Sequence, residues 1–419
     1  LTVTGWYSFT VSAQAPGNNG FISLDASNDY MTFDNNEIHV PINANMACSY
    51  YKAGIHDKTL SEYELWFDNF SANGGNTARI WMDTYWGFSL DADNVAGNNT
   101  PVPGHYGLQH YKAYQLDQVF DMAKDRDIFI KLCLNTGWSC DAAEIDETTG
   151  DVIEYYNPYV ETGMAYPNVA HLYLTSGQIW ELRLNKQRYI NARWGYSRNL
   201  ESWELFNEVK QTECGDGDMS LFHQGILKDW CYEMTDYIKQ IDIYDHLVTN
   251  SNIVPDSHLD YVPGEMMYDI MSDPDIDYTE THRYNYNVPE TGFNWDMSPP
   301  PGPISSDRLQ DIHFFANTEF KTLFEKPTMI NEFLWHPMKV VNSQDANSED
   351  FDEEGFLLRH CIWTSYCSGA VGTSSPWNWG EYMENEGNWW HLDGLSQFVA
   401  LTRDKLNNGM SPKQFDTFK

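Results

Sequence analysis

One feature constrains this chain more than any other. From about residue 36, short apolar, β-branched runs alternate with longer stretches of helical periodicity. The strand candidates are IHVPIN (38–43), NTARIWM (76–82), DIFIKLCL (127–134), SWELFNE (202–208), HLVTNSN (246–252), DIDYTETH (275–282), PTMINEF (327–333) and GAVGTSS (369–375). Helical patterns fill 61–75, 108–127, 176–195, 221–242, 307–325, 353–369 and 395–409, with a weaker one near 262–273. In the first of these, Ser61 stands at the N-cap, Glu64 at the capping-box position and a glycine pair at the stop. Parallel strands need crossover connections, and helices are the usual ones. Eight such units close into a (β/α)8 barrel, so the expected fold class is α/β, a TIM barrel over residues 36–419. The competitor, an open doubly wound sheet, normally carries a glycine fingerprint after its first strand. No such fingerprint occurs here, nor a GxxxxGK[ST] loop.

Residues 1–35 break the rhythm. Tyr7, Phe9 and Val11 alternate with Ser8, Thr10 and Ser12, and 21–43 looks like two short strands joined by a DNN turn. This N-terminal β segment is expected to be the remnant of a β domain plus a hairpin that plugs the barrel's N-terminal face. The first residues show neither a basic n-region nor an apolar h-region, so they are not a signal peptide. The chain is expected to have been cut from something longer.

Charge then excludes partners. Lys and Arg number 25 against 61 Asp and Glu, a net −36. Phosphate neutralisation needs clustered cations, so nucleic acid is excluded, and an anionic membrane surface would repel the chain. No run of 18 apolar residues occurs, so no membrane helix is expected. A polyanionic substrate is disfavoured for the same reason as nucleic acid, which leaves neutral polymers. The seven cysteines are odd in number and show no CxxC spacing; Cys140 and Cys214, both in loops after strands, are the candidate disulfide. The histidines form no HExxH pair, so neither a catalytic metal nor any other cofactor is expected.

Barrel enzymes place their chemistry at strand C-terminal ends. Arg79, Asn135, Asn207, Glu208, Asn252, His282 and Glu332 all fall at or just past such ends. WELFNEV (203–209) ends the fourth strand on Asn207 and Glu208, and MINEFLW (329–335) ends the seventh on Glu332. Strands four and seven face each other across a closed barrel. Two carboxylates there can flank one glycosidic bond, and retaining hydrolysis wants them about 5–5.5 Å apart. The acid must keep its proton near neutral pH and the nucleophile must stay ionised. Arg79, at the end of the second strand, is the group placed to favour that ionisation. A lone strand-end Glu is usually a surface or salt-bridge residue; the argument rests on the pair.

These residues resemble the clan A retaining glycoside hydrolases, the cellulase-like glycoside hydrolase family 5 and its neighbours above all. The resemblance is carried by NE on strand four, E on strand seven, the Arg in NTARIW, HRY at 282–284 and a Trp after strand eight, and it spans roughly 36–410. It implies Glu208 as general acid/base and Glu332 as nucleophile. It implies that Asn207 bonds the sugar 2-hydroxyl, that Tyr284 donates to Glu332, and that His282 orients this group or touches substrate. Trp377 or Trp379, in SPWNWG, would floor the −1 subsite. The sequence departs from the pattern once: many relatives have Gly before the nucleophile, and here it is Asn331.

Aromatic residues make up 15% of the chain, more than a core needs, and sugar rings stack on such faces. Trp86 follows strand two and Trp138 follows strand three, so both are candidate substrate platforms. The loops 83–107, 135–175 and 283–306 are long and rich in Trp, Tyr and Asn. They suggest several subsites. The expected activity is therefore a retaining endo-β-glycosidase on a neutral polysaccharide: β-glucan, mannan, xylan or an agar-like galactan. Exo action, transglycosylation, a catalytically silent carbohydrate-binding barrel and a metal-dependent barrel hydrolase are the alternatives. The acidic surface, including 342–354, suits a secreted, monomeric enzyme that stays soluble, even in salty water.

Overall fold

The computed structural model describes residues 19–49, 59–82, 87–93, 110–136, 177–209, 221–253, 263–283, 317–333 and 355–407, with short pieces of the loops between them. Three short strands come first: β1 (Ile22–Leu24), β2 (Met31–Phe33) and β3 (Ile38–His39), paired antiparallel in that order. The barrel strands follow: β4 (Asn43–Asn45), β5 (Thr77–Trp81), β6 (Phe129–Cys133), β7 (Leu200–Glu204), β8 (Leu247–Thr249), β9 (Ser251–Ile253), β10 (Thr279–His282) and β11 (Thr328–Glu332).

β4 to β8 form one parallel sheet and β9 to β11 another. Only Asn250 separates β8 from β9, so the two are one strand that pairs first with β7 and then with β10. The remaining gap is closed by residues 370–376. Val371 N donates to Thr328 O (3.0 Å) and Ser375 N to Ile330 O (3.0 Å) on one side. On the other, Thr373 N donates to Pro41 O (2.9 Å) and Asn45 N to Pro376 O (3.2 Å). The ring is complete, and the fold is a (β/α)8 barrel. The expected eighth strand is thus not a regular ladder; it alternates between two neighbours. Gly372 is required there, since a Cβ would come 2.7 Å from Pro41 O.

The outer layer comprises α1 (Thr59–Ala72), α2 (His110–Lys124), α3 (Gly177–Trp194), α4 (Leu221–Ile241), α5 (Met266–Ser272), α6 over 317–324, α7 (Phe356–Cys367) and α8 (His391–Asn407). The N-cap expected at Ser61 is not one: α1 starts at Thr59, which is buried and joins the first turn. The glycine stop behaves as expected, with Gly74 at φ 84° and Gly75 N bonded back to Phe70 O. α8 begins four residues before the expected 395, and a π-helical turn (Trp379–Asn385) and a short 3-10 helix (Asn388–Trp390) precede it.

Strand side chains alternate, and here the alternation divides two interiors. Ala78, Ile80, Ile130, Leu132 and Trp203 join Tyr63, Phe67, Phe70, Leu116 and Ile190 of the helices in the main apolar core. The opposite faces carry Thr77, Arg79, Lys131, Cys133, Ser202, Glu204, Glu280, His282 and Asn331 into the barrel, all buried. At its N-terminal end Ile22, Met31 and Phe33 pack on Leu247, Tyr278, Met329 and Val371. The first hairpin thereby covers that end of the barrel.

Candidate active site

Regular strands cannot aim two consecutive side chains the same way, yet the site needs this twice. At the end of β7 the chain leaves the ladder, and Glu208 sits at φ 53°, the left-handed region that a side chain makes costly. Asn207 and Glu208 can then both face the barrel mouth. On β11 the register with β10 slips: Thr281 pairs Ile330, but His282 pairs Glu332. The extra residue is a bulge, and it turns Asn331 and Glu332 inward together.

Arg79 occupies the centre and is 1% exposed. Its Nε and Nη2 donate to the two oxygens of Glu204, both at 2.6 Å. Nη1 donates to Glu332 Oε1 and to Asn45 Oδ1 (3.0 Å), and Nη2 to Asn207 Oδ1 (2.6 Å). Burial opposes the charge on Arg79, but Glu204 and Glu332 outweigh it and raise its pKa well above the ordinary value. Glu204 also accepts from Ser251 Oγ at 2.6 Å.

His282 stands between the carboxylates. Its Nδ1 is 2.6 Å from Glu208 Oε1 and 3.2 Å from Glu332 Oε2. One side-chain O or N atom from each of the three residues lies within 4.8 Å of the other two. Burial, then the charges of Arg79 and Lys131, lower the His282 pKa far below 6.5, so the ring is neutral at pH 7. Burial, then the neighbouring Glu332, raise the Glu208 carboxyl well above 4.5, with Arg79 opposing only in part. Glu208 therefore holds a proton more tightly than a free carboxyl while Glu332 lies on a guanidinium, the arrangement an acid and a nucleophile would require.

Of the ten residues singled out in the sequence, Arg79, Asn207, Glu208, His282 and Glu332 meet here. Tyr284, Trp86 and Trp138 lie outside the described residues, as do Cys140 and Cys214. The two tryptophans after the eighth strand part company. Trp377 is half-buried beside the mouth, its ring 5.0 Å from Trp81, whose own ring lies under Arg79. Trp379 is 1% exposed and sits edge-on to Trp66 and Trp377, so it is a core residue and offers no open platform. Its displacement inward follows from the π-helical turn that it begins. Asn135 is also structural: its side chain bonds Leu205 O and Arg183.

Sequence reasoning missed Glu204, Asn45, Ser251, Lys131, Glu280 and the use made of Asn331. The signal was present. Barrel interiors are usually filled by branched apolar residues. Charged or titratable residues at alternate strand positions (Lys131 in the otherwise apolar FIKLC, Glu280 and His282 in TETH, Glu204 four before Glu208) mark the inward face.

No protein-family model and no curated protein sequence matches the chain. Solved structures do. A glycoside hydrolase family 5 mannosidase from Rhizomucor miehei superposes at a TM-score of 0.59 with 14% identity, over 93% of this chain and 99% of that one. An endo-1,4-beta-mannanase from the same organism gives 0.56 and 15%, over 90% and 100%. An exo-beta-1,4-mannosidase from Opitutaceae bacterium strain TAV5 gives 0.53 and 16%, over 93% and 64%. At these identities the likeness establishes the barrel fold.

Proposed function

We propose that this chain is a retaining β-glycosidase that cleaves a neutral polysaccharide, β-mannan before xylan, β-glucan or galactan. The observation that carries this reading is the Glu208–His282–Glu332 cluster, whose facing atoms lie within 4.8 Å. That spacing fits the short carboxyl separation of double displacement and leaves no room for the water of an inverting reaction. The choice of β-mannan is supported by the names of the structures that share the fold.

Glu332, ionised on Arg79, attacks the anomeric carbon and forms a glycosyl ester. Glu208 gives its proton to the departing oxygen. In the second half, the Glu208 carboxylate takes a proton from water, whose oxygen attacks the same carbon and frees Glu332. With Asn207 Oδ1 held by Arg79, its NH2 is the end that meets the sugar 2-hydroxyl. Neutral His282 adds no cation that would strip the proton from Glu208. Trp377 supplies the apolar face for the sugar ring.

The long aromatic loops support endo action, and a net charge of −36 suits a secreted enzyme that stays soluble. The test is reducing-sugar release from a panel of β-mannan, xylan, β-glucan and agarose, with Glu332→Gln as control. Oligosaccharides of several lengths appearing early from β-mannan, with the β-anomer first by proton NMR, are the expected result. Initial release of the α-anomer, or full activity in the control, would overturn the assignment.

A further inference from the structure

Beneath the two carboxylates lies an ion pair that the chemistry above leaves unused. Lys131 on β6 and Glu280 on β10 meet directly across the barrel, and both are essentially inaccessible. A desolvated pair is poor value for stability, since apolar residues of similar volume usually serve as well. Burial pushes the Glu280 carboxyl up to about 8, against the pull of Lys131.

Lys131 reaches further. Its Nζ donates to Asn331 Oδ1 at 3.1 Å, and Asn331 Nδ2 lies 3.4 Å from Glu204 Oε2. Glu204 grips Arg79 at two points, and Arg79 donates to Glu332. The chain of polar contacts runs unbroken from the pair to the nucleophile. Asn331 is also the bulged residue immediately before Glu332, and the backbone oxygen of Asn331 accepts from Asn45 Nδ2 at 3.0 Å. Both the side chain and the backbone of Asn331 are therefore clamped.

We propose that Asn331, anchored by the Lys131–Glu280 pair, is a positioning residue for the reaction: it fixes the β11 bulge that presents Glu332 to Arg79 and to the sugar. The inference rests on the glycosidase reading above. Among the described residues, the titratable groups near Glu332 include Arg79 from β5, Cys133 from β6, Glu208 just past the end of β7 and His282 from β10. Those around Lys131 among the described residues are Glu201, Tyr278, Glu280 and His282.

The experiment uses Asn331→Ala and the double variant Lys131→Met/Glu280→Met, which replaces the pair by apolar volume and avoids stranding one charge. Each is expected to lower kcat about 10- to 100-fold, the scale of a misplacement near 1 Å, with KM within about threefold. A looser Arg79 contact leaves Glu332 easier to protonate, so the acid limb of kcat/KM shifts to higher pH by about half a unit. All three substitutions together should cost no more than either set alone, because they break one chain. Folded variants with wild-type kcat and an unmoved acid limb, or losses that simply multiply, would overturn the proposal. A carbon-13 carboxyl titration of Glu332 in the same proteins separates this from the activity assignment. A wild type inactive on every polysaccharide refutes the glycosidase reading, while an unmoved Glu332 midpoint in the variants refutes the positioning role.

Discussion

The two ends of the barrel interior are built on opposite rules. At the N-terminal end, Ile22, Met31 and Phe33 of the hairpin meet Leu247, Tyr278, Met329 and Val371, with Phe33 and His39 both against Phe129. At the C-terminal end, one guanidinium serves two glutamates and two asparagines within hydrogen-bond reach, beside a residue at positive φ and a bulge. The first end is mostly apolar burial, which stabilises, with the buried His39–Glu201 contact at 3.2 Å beside it. The second concentrates desolvated charge and backbone strain, which cost stability and are kept where chemistry is done. Mutations at the mouth should therefore remove activity, and mutations at the plug should remove stability.

The largest effect expected is at Glu332. Glu332→Ala should lower kcat by about 10⁴-fold or more, as loss of a covalent nucleophile does. Glu208→Ala should lose about 10²- to 10⁴-fold on polysaccharide. With an activated aryl glycoside, azide should restore turnover of Glu208→Ala and yield a glycosyl azide of retained configuration. Rescue of the Glu332 variant with retention instead would exchange the two roles.

Next comes the plug. Phe33→Ala should cost about 3–5 kcal/mol in unfolding free energy while kcat on folded protein stays near wild type. A fall in kcat that outlasts control for folding would erase the division between the ends. Trp377→Ala should raise KM about tenfold, whereas Trp379→Ala should act mainly on thermal stability, since its ring is packed in the core.

The smallest effect is one of pH. Glu208 binds its proton more tightly folded than unfolded, because of burial and Glu332. Its contribution to stability is thus full below the unfolded value and is lost as pH rises through the folded one. Glu208→Gln, which never ionises, should melt a few degrees higher than wild type at alkaline pH and show no advantage at pH 4. Equal melting temperatures at both pH values would show that Glu208 is not the strained acid. Activity should fall on the same alkaline limb, as the acid loses its proton.

Much of this was legible in the sequence because it depends on local period. Alternating strand and helix patterns dictate a parallel barrel, and a barrel dictates that Glu208 and Glu332 share its mouth. Asn207 and His282 were found by the same rule, as residues at strand ends, whereas Arg79 stands in the middle of β5, not at its end as expected. The rule failed where two positions looked alike locally. Trp377 and Trp379 share one tetrapeptide, and only the π-helical turn decides which ring enters the core.

The sequence by itself determined the barrel and which two glutamates share its mouth, since hydrophobic period and strand order are properties of neighbouring residues. Only the tertiary structure decided the protonation and aim of those carboxylates. The Glu208 pKa is raised because strands distant in sequence bury it and bring Glu332 beside it, and Glu332 meets Arg79 because a register slip against β10 turns it inward. Electrostatics of this kind is a property of distances between strands, which no local pattern encodes.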